Sequence, residues 1–211
     1  VWIAEADDLA DPGFLAATAA AFADPAVVMS YCQSRQMSSD GTVLCEHYLD
    51  YAADISPDKW MRAYVAEGVD EIRTALAVKN TVPNVSAVVF RRAALVAALD
   101  ECASRLQQLK VAGDWLVYVS VLSRGRIAFT PAPLNSHRRH QGSVTLANFN
   151  LMQLHEIVSM QQEIRRRFAT SSEVSRRAAK YAQQLFEQFG LQEGPVRRVE
   201  EHPLLASALA E

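Results

Sequence analysis

The chain has 211 residues, half of them apolar and about a fifth charged, with a net charge of −3. That length supports one domain with a substantial core and room for a helical appendix. The small negative charge excludes a global attraction to nucleic acid or anionic lipid. Three widely spaced cysteines (Cys32, Cys45, Cys102) form no CxxC pair, which argues against a disulfide framework and a structural zinc site and fits a cytoplasmic protein. No apolar run approaches the roughly 20 residues that span a bilayer.

In chain order, residues 1–4 read as a short strand, apolar on both faces and so expected inside a parallel sheet. Asp11-Pro12-Gly13 opens a helix over 14–22, which Asp24-Pro25 stops. Residues 26–33 are the next strand, and strand, helix, strand with short links indicates an α/β layer. An irregular stretch follows over 34–56, with a turn at Asp40-Gly41. Short helices are expected from Ser56-Pro57 through 64 and over 69–78, then a loop and strand over 80–92. A long amphipathic helix covers 92–109. A second, mostly apolar helix begins at Asp114 and ends at Gly125, where glycine suits a left-handed cap. "RIAFTPAPLN" is a strand passing into a proline-stiffened segment. Residues 146–168 and 171–189 read as two helices, and the polar tail after Gly190 as disordered.

Three groups of residues carry chemistry. Glu5, Asp7 and Asp8 end the first strand, at the sheet edge where α/β proteins bind ligands. Carboxylates this close repel, and Mg²⁺ or Mn²⁺ would compensate while leaving positions open for phosphate oxygens. The alternative is a helix cap beside solvated acids. Asp114 follows a glycine at a helix start and reads either as a general base or as an N-cap. Trp115 beside it is either a stacking wall for a sugar ring or a core residue. "LNSHRRHQGSVT" concentrates His137, Arg138, Arg139 and His140, with Ser143 and Thr145 behind them, as a phosphate clamp or a solvated loop. No HExxH pattern accompanies the histidines, so a zinc hydrolase fits poorly. Metal-assisted transfer from a phosphorylated donor uses all three groups.

"WIAEADD…DPGFL", "NVSAVVFRR", "AGDWLVY" and "LNSHRRHQGSVT", in this order, resemble the inverting glycosyltransferases of family 2, over residues 1–145. The resemblance implies an α/β GT-A fold with a mixed sheet and flanking helices, followed by a C-terminal helical appendix. In domains, it implies a catalytic, acceptor-side part at 1–145, a helical extension at 146–190 and a disordered tail at 191–211. It implies a divalent metal (Mn²⁺ or Mg²⁺) held by the Asp-X-Asp position, where Glu5 replaces the first aspartate and Asp7 and Asp8 are the stronger matches. Asp114 matches the catalytic base, with Gly113 where a glutamate often stands. His137, Arg138, Arg139 and His140 match the loop closing over the donor diphosphate. Asn84, Ser86 and Trp115 match the acceptor side. The implied partners are a nucleoside-diphosphate sugar and a saccharide or lipid-linked saccharide acceptor, as in bacterial polysaccharide synthesis, with no nucleic acid. The family's nucleotide-binding βαβ half precedes the Asp-X-Asp strand. The chain is therefore expected to be the carboxyl-terminal part of a larger enzyme, binding donor weakly and inactive alone. The rival expectation is a non-catalytic module. Its arginine-bearing C-terminal helices would dock to a partner, to a second copy or to the inner face of the membrane.

Overall fold

The computed structural model describes residues 1–139, 149–192 and 195–210. Two long strands, β2 (Val27–Met37) and β6 (Arg126–Arg138), run parallel from Val27 opposite Arg126 to Met37 opposite Arg138. The register shifts around Gln33, which faces Pro133. A proline has no N–H for the ladder, so the irregularity falls where it must. Four short antiparallel strands extend this pair into a mixed, curled sheet. Strands β1 (Leu9–Ala10) and β4 (Tyr64–Glu67) pair with opposite ends of β6. Strands β3 (Val43–Cys45) and β5 (Val88–Phe90) do the same along β2. The chain is therefore α/β, with helices flanking a mixed sheet, as the sequence led us to expect.

Residues 1–4 depart from expectation. In place of a buried parallel strand they make one antiparallel bridge, Trp2 to Val89, at the edge of β5. Val1 is 48% exposed and Ile3 41%. With only three residues in β5 to pair against, anchoring falls to Val1, which exchanges backbone hydrogen bonds with Phe90, and to Trp2. Its indole donates to Ser86 O at 2.8 Å and its ring packs against Phe14. Other differences are smaller. Residue 64 starts strand β4, where the sequence reads as the end of a short helix. Gly125 has no left-handed conformation. It is needed because an added Cβ would strike the Ala26 carbonyl and lie 2.7 Å from Val28 Cγ1.

Helix α1 (Phe14–Ala19) precedes β2, and α2 (Leu49–Ala52) follows the β2–β3 hairpin. Helix α3 (Gly68–Glu71) runs into a π-helical turn at Ile72–Leu76. Helix α4 (Arg92–Leu106) presents Ala94, Leu95, Ala98 and Cys102 to the core at helical spacing. Helix α5 (Gly113–Leu122) is buried from Trp115 to Leu122, which explains its unbroken apolar sequence. Met160 and Ile164 of α6 (Leu151–Arg167) join that main core. Leu154 and Val158 form a second cluster with Ala182 and Phe186 of α7 (Ser172–Gln188).

The expected disordered tail also folds onto this cluster. Val199 and Leu205, the latter in α8 (Pro203–Ala210), are buried against α6 and α7. Its few apolar residues are enough because a nonpolar surface already waits for them. No helix among the described residues is long and apolar enough to cross a membrane.

Candidate functional site

The carboxyl ends of β2 and β6 carry a polar network around Asp8. One Asp8 oxygen accepts from the Arg138 backbone N–H at 2.8 Å, the other from the Asn84 amide at 2.7 Å. Asn84 also donates to Asn135 Oδ1, which accepts from the Ser34 hydroxyl as well. Asn84, Ser34 and Asn135 are buried, so their polar groups have to satisfy one another. Ser86 N–H donates to the Asn84 side chain, and Ser86 Oγ accepts from Glu5 N–H at 2.9 Å. The segment "NVS" therefore holds the acidic loop in place. Asn84 and Ser86, expected as acceptor contacts, are 3% and 1% exposed and serve here as its internal supports.

Glu5, Asp7 and Asp8 are close enough to repel. Burial first, then the charges of Asp8 and Asp7, push the Glu5 carboxyl above its usual range. Among the described residues no group of three or more acidic, cysteine or histidine side chains is arranged to hold an ion. Mg²⁺ and Mn²⁺ need less than that, since one or two carboxylates with substrate phosphates complete their shell. The chemistry of this oxygen donor set fits such a cation, although both Asp8 oxygens already accept from Arg138 N–H and Asn84.

The basic segment divides. Arg138 donates from Nε to Asp7 O and from Nη1 to Ser38 O and Ser39 O, clamping the acidic loop to the β2–β3 hairpin. His137 Nδ1 lies 2.6 Å from the Tyr48 hydroxyl. Burial pushes the Tyr48 phenol up to about 12, against a lowering by the neighbouring Arg139. Arg139 N–H donates to Met37 O, continuing the β2–β6 pairing by one residue. His140, Ser143 and Thr145 lie outside the described residues.

Asp114 stands in the first turn of α5 and accepts from Trp115 N–H at 2.7 Å and from the Asn80 amide at 3.1 Å. Desolvation is the main reason its carboxyl is pushed up to about 6, and the Glu5 charge adds to it. Tyr118, one turn later, has a buried hydroxyl with no partner among the described residues and feels the charges of Asp114 and Glu5. Asp114 and the acidic loop thus share one electrostatic environment. Trp115 does not join it. The indole is 2% exposed and donates to Leu76 O, so the expected stacking wall is a core residue.

The start of α5 is capped from outside. Glu156 of α6 accepts from the backbone N–H groups of Lys110, Val111 and Ala112 at 2.9–3.2 Å. Replacing Glu156 by alanine is expected to cost about 1–2 kcal/mol in urea unfolding, because three backbone donors in the turn leading into α5 lose a charged acceptor.

Asn80, Asn135, Tyr48, Tyr118 and Glu156 belong to this site without having stood out in the sequence. Asn135 had a signal. It lies two residues before His137, so strand periodicity puts the two on one face of β6. No protein-family model matches the chain, and no curated protein matches it.

Proposed function

We propose that the chain carries the catalytic, acceptor-side part of an inverting glycosyltransferase of GT-A type, acting on a nucleoside-diphosphate sugar and a hydroxyl acceptor. The observation that carries this reading is Asp114. Its carboxyl is held by Asn80 and Trp115 N–H, titrates near neutrality at about 6, and shares its field with the acidic loop. A general base works best with a pKa near the working pH. Asp114 would take the proton of the acceptor hydroxyl as that oxygen attacks the anomeric carbon from the face opposite the diphosphate. Glu5, Asp7 and Asp8 would hold the divalent ion, whose chemistry when bound is to neutralise charge on the leaving diphosphate. His137, Arg139 and His140 are the candidates to meet that diphosphate. Arg138 would act by fixing the loop between them, because its side chain is engaged with backbone carbonyls.

The resemblance of the four sequence motifs gives this reading its substrate class. The protein, incubated with Mn²⁺, a panel of uridine, guanosine and thymidine diphosphate sugars and a panel of saccharides, is expected to release nucleoside diphosphate faster when an acceptor is present. Proton NMR of the product should show the anomeric centre inverted. Retention of configuration, or acceptor-independent release throughout the panel, would overturn the proposal.

A further inference from the structure

We propose that the C-terminal helices α6 and α7 position Asp114, with Tyr181 of α7 acting through Lys79 and Asn80. The inference rests on Asp114 being the base of the proposed transfer.

Lys79 is only 4% exposed, and a buried ammonium needs compensation on every side. Its Nζ pairs with Asp54 at 2.7 Å and lies 4.5 Å from the centre of the Tyr51 ring and 4.9 Å from that of Tyr181. Each aromatic face attracts the cation, so two rings from distant parts of the chain grip one residue. The Tyr51 hydroxyl donates to the backbone carbonyl of Asn80 at 3.0 Å and lies 3.5 Å from the Tyr181 hydroxyl. Asn80 is thus held through its own backbone and through its neighbour. Its side chain spans from Val82 N–H, accepted at Oδ1, to Asp114 Oδ2.

Two further attachments come from α6. Gln161, 1% exposed, donates to Val78 O at 2.7 Å and to Ala178 O at 3.0 Å, tying α7 to the segment just before Lys79. Glu156 fixes the backbone that opens α5. The helix bearing Asp114 and the residue holding its carboxylate are therefore both fastened to the same pair of C-terminal helices.

The test reads Asp114 itself, without turnover. Around its carboxyl, desolvation and then the charge of Glu5 from the N-terminal loop raise the titration midpoint, while Trp115 N–H, Asn80 and its own N–H lower it; Tyr51 and Tyr118 are neutral phenols within its field. Carbon-13 NMR of the 211-residue chain should follow the Asp114 carboxyl through pH 4–8. Asn80→Ala is expected to raise the midpoint by about 0.5–1 unit, and Tyr181→Leu to raise it in the same direction. Tyr181→Phe keeps the ring over Lys79 and should leave it in place. Should Tyr181→Leu fail to fold, Tyr181→Met, which removes the ring without changing any charge, is expected to give the same rise. An unmoved or lowered midpoint in the folded Tyr181→Leu or Tyr181→Met chain overturns the positioning role, as does an unmoved midpoint in Asn80→Ala. Loss of the base reading would instead show as turnover surviving Asp114→Asn.

Discussion

If Asp114 is the base of the proposed transfer, Asp114→Asn is expected to abolish that transfer and, in any case, to stabilise the fold above pH 6. The first effect follows from removing the proton acceptor, a loss of about 10²–10⁴-fold in turnover with donor binding intact. The second follows from linkage. In the folded chain the carboxyl titrates at about 6, against 3.8 for its ordinary value. The folded state therefore binds more protons than the unfolded state across that interval, and stability falls as pH rises through it. Above pH 6 the whole penalty is present, about 3 kcal/mol at most, and about 1–2 kcal/mol once solvent screening of a partly accessible residue is allowed for. Below about pH 4 both states hold the proton and the penalty vanishes. Asparagine keeps a carbonyl oxygen for Trp115 N–H and carries no charge to desolvate. Urea unfolding should show the variant ahead of the parent at pH 8 and level with it at pH 4. Equal stability at both pH values would mean that Asp114 is not held in a desolvated position. A residue retained at a cost in stability is what a functional site requires.

The long elements were legible in the sequence because their patterns are long. Helices α4 and α5 each carry ten or more residues of consistent patterning, whereas β2 is legible only as far as residue 33 of its Val27–Met37 span and β6 only until its prolines. Strand β4 has only four residues. Its alternation of half-buried Tyr64 and Ala66 with exposed Val65 and Glu67 is a period-two signal too short to outweigh the Ser-Pro helix start before it. Residues 1–4 failed for another reason. Apolarity states that burial would be favourable, but a partner has to supply it, and β5 offers a single bridge. The same logic reversed governs the tail, where Val199 and Leu205 are unremarkable until the surface of α6 and α7 receives them.

In the site, charged residues grouped along the chain stood out, namely Glu5 to Asp8 and His137 to His140. Whether a given arginine faces a ligand or a carbonyl is settled by folding, and Arg138 grips Ser38 O and Ser39 O across about a hundred residues. A neutral support such as Asn80 carries no charge pattern and becomes visible only through its partners.

Gly68→Ala is expected to unfold the chain or to cost about 4 kcal/mol or more. Gly68 sits where β4 turns into α3, and its N–H donates to Gly125 O at 2.9 Å. Its backbone is ordinary, with no left-handed φ to favour glycine. The reason for glycine is space. A Cβ there would lie under 3.0 Å from Leu122 O, Leu122 C and Gly125 O. All three are backbone atoms, at the end of α5 and the turn into β6, so no rotamer change relieves the overlap. The strand would have to move away, breaking the Gly68–Gly125 hydrogen bond and straining the pairing of Glu67 with Arg126. Gly13→Ala is the control. Gly13 has φ −83° and ψ −6°, and an added Cβ meets nothing within 4 Å. Lower unfolded-state entropy should then leave that variant level or more stable by up to about 1 kcal/mol. Urea midpoints of the two variants decide the matter, and a Gly68→Ala chain within about 1 kcal/mol of the parent would disprove the close approach. The consequence reaches the site because α5 is a rigid rod ten residues long. Gly68 fixes its carboxyl end against β4, while Glu156 and Asn80 fix the end that bears Asp114. The proposed role of Asp114, a base that meets a hydroxyl at hydrogen-bond distance, depends on both ends of that helix being pinned.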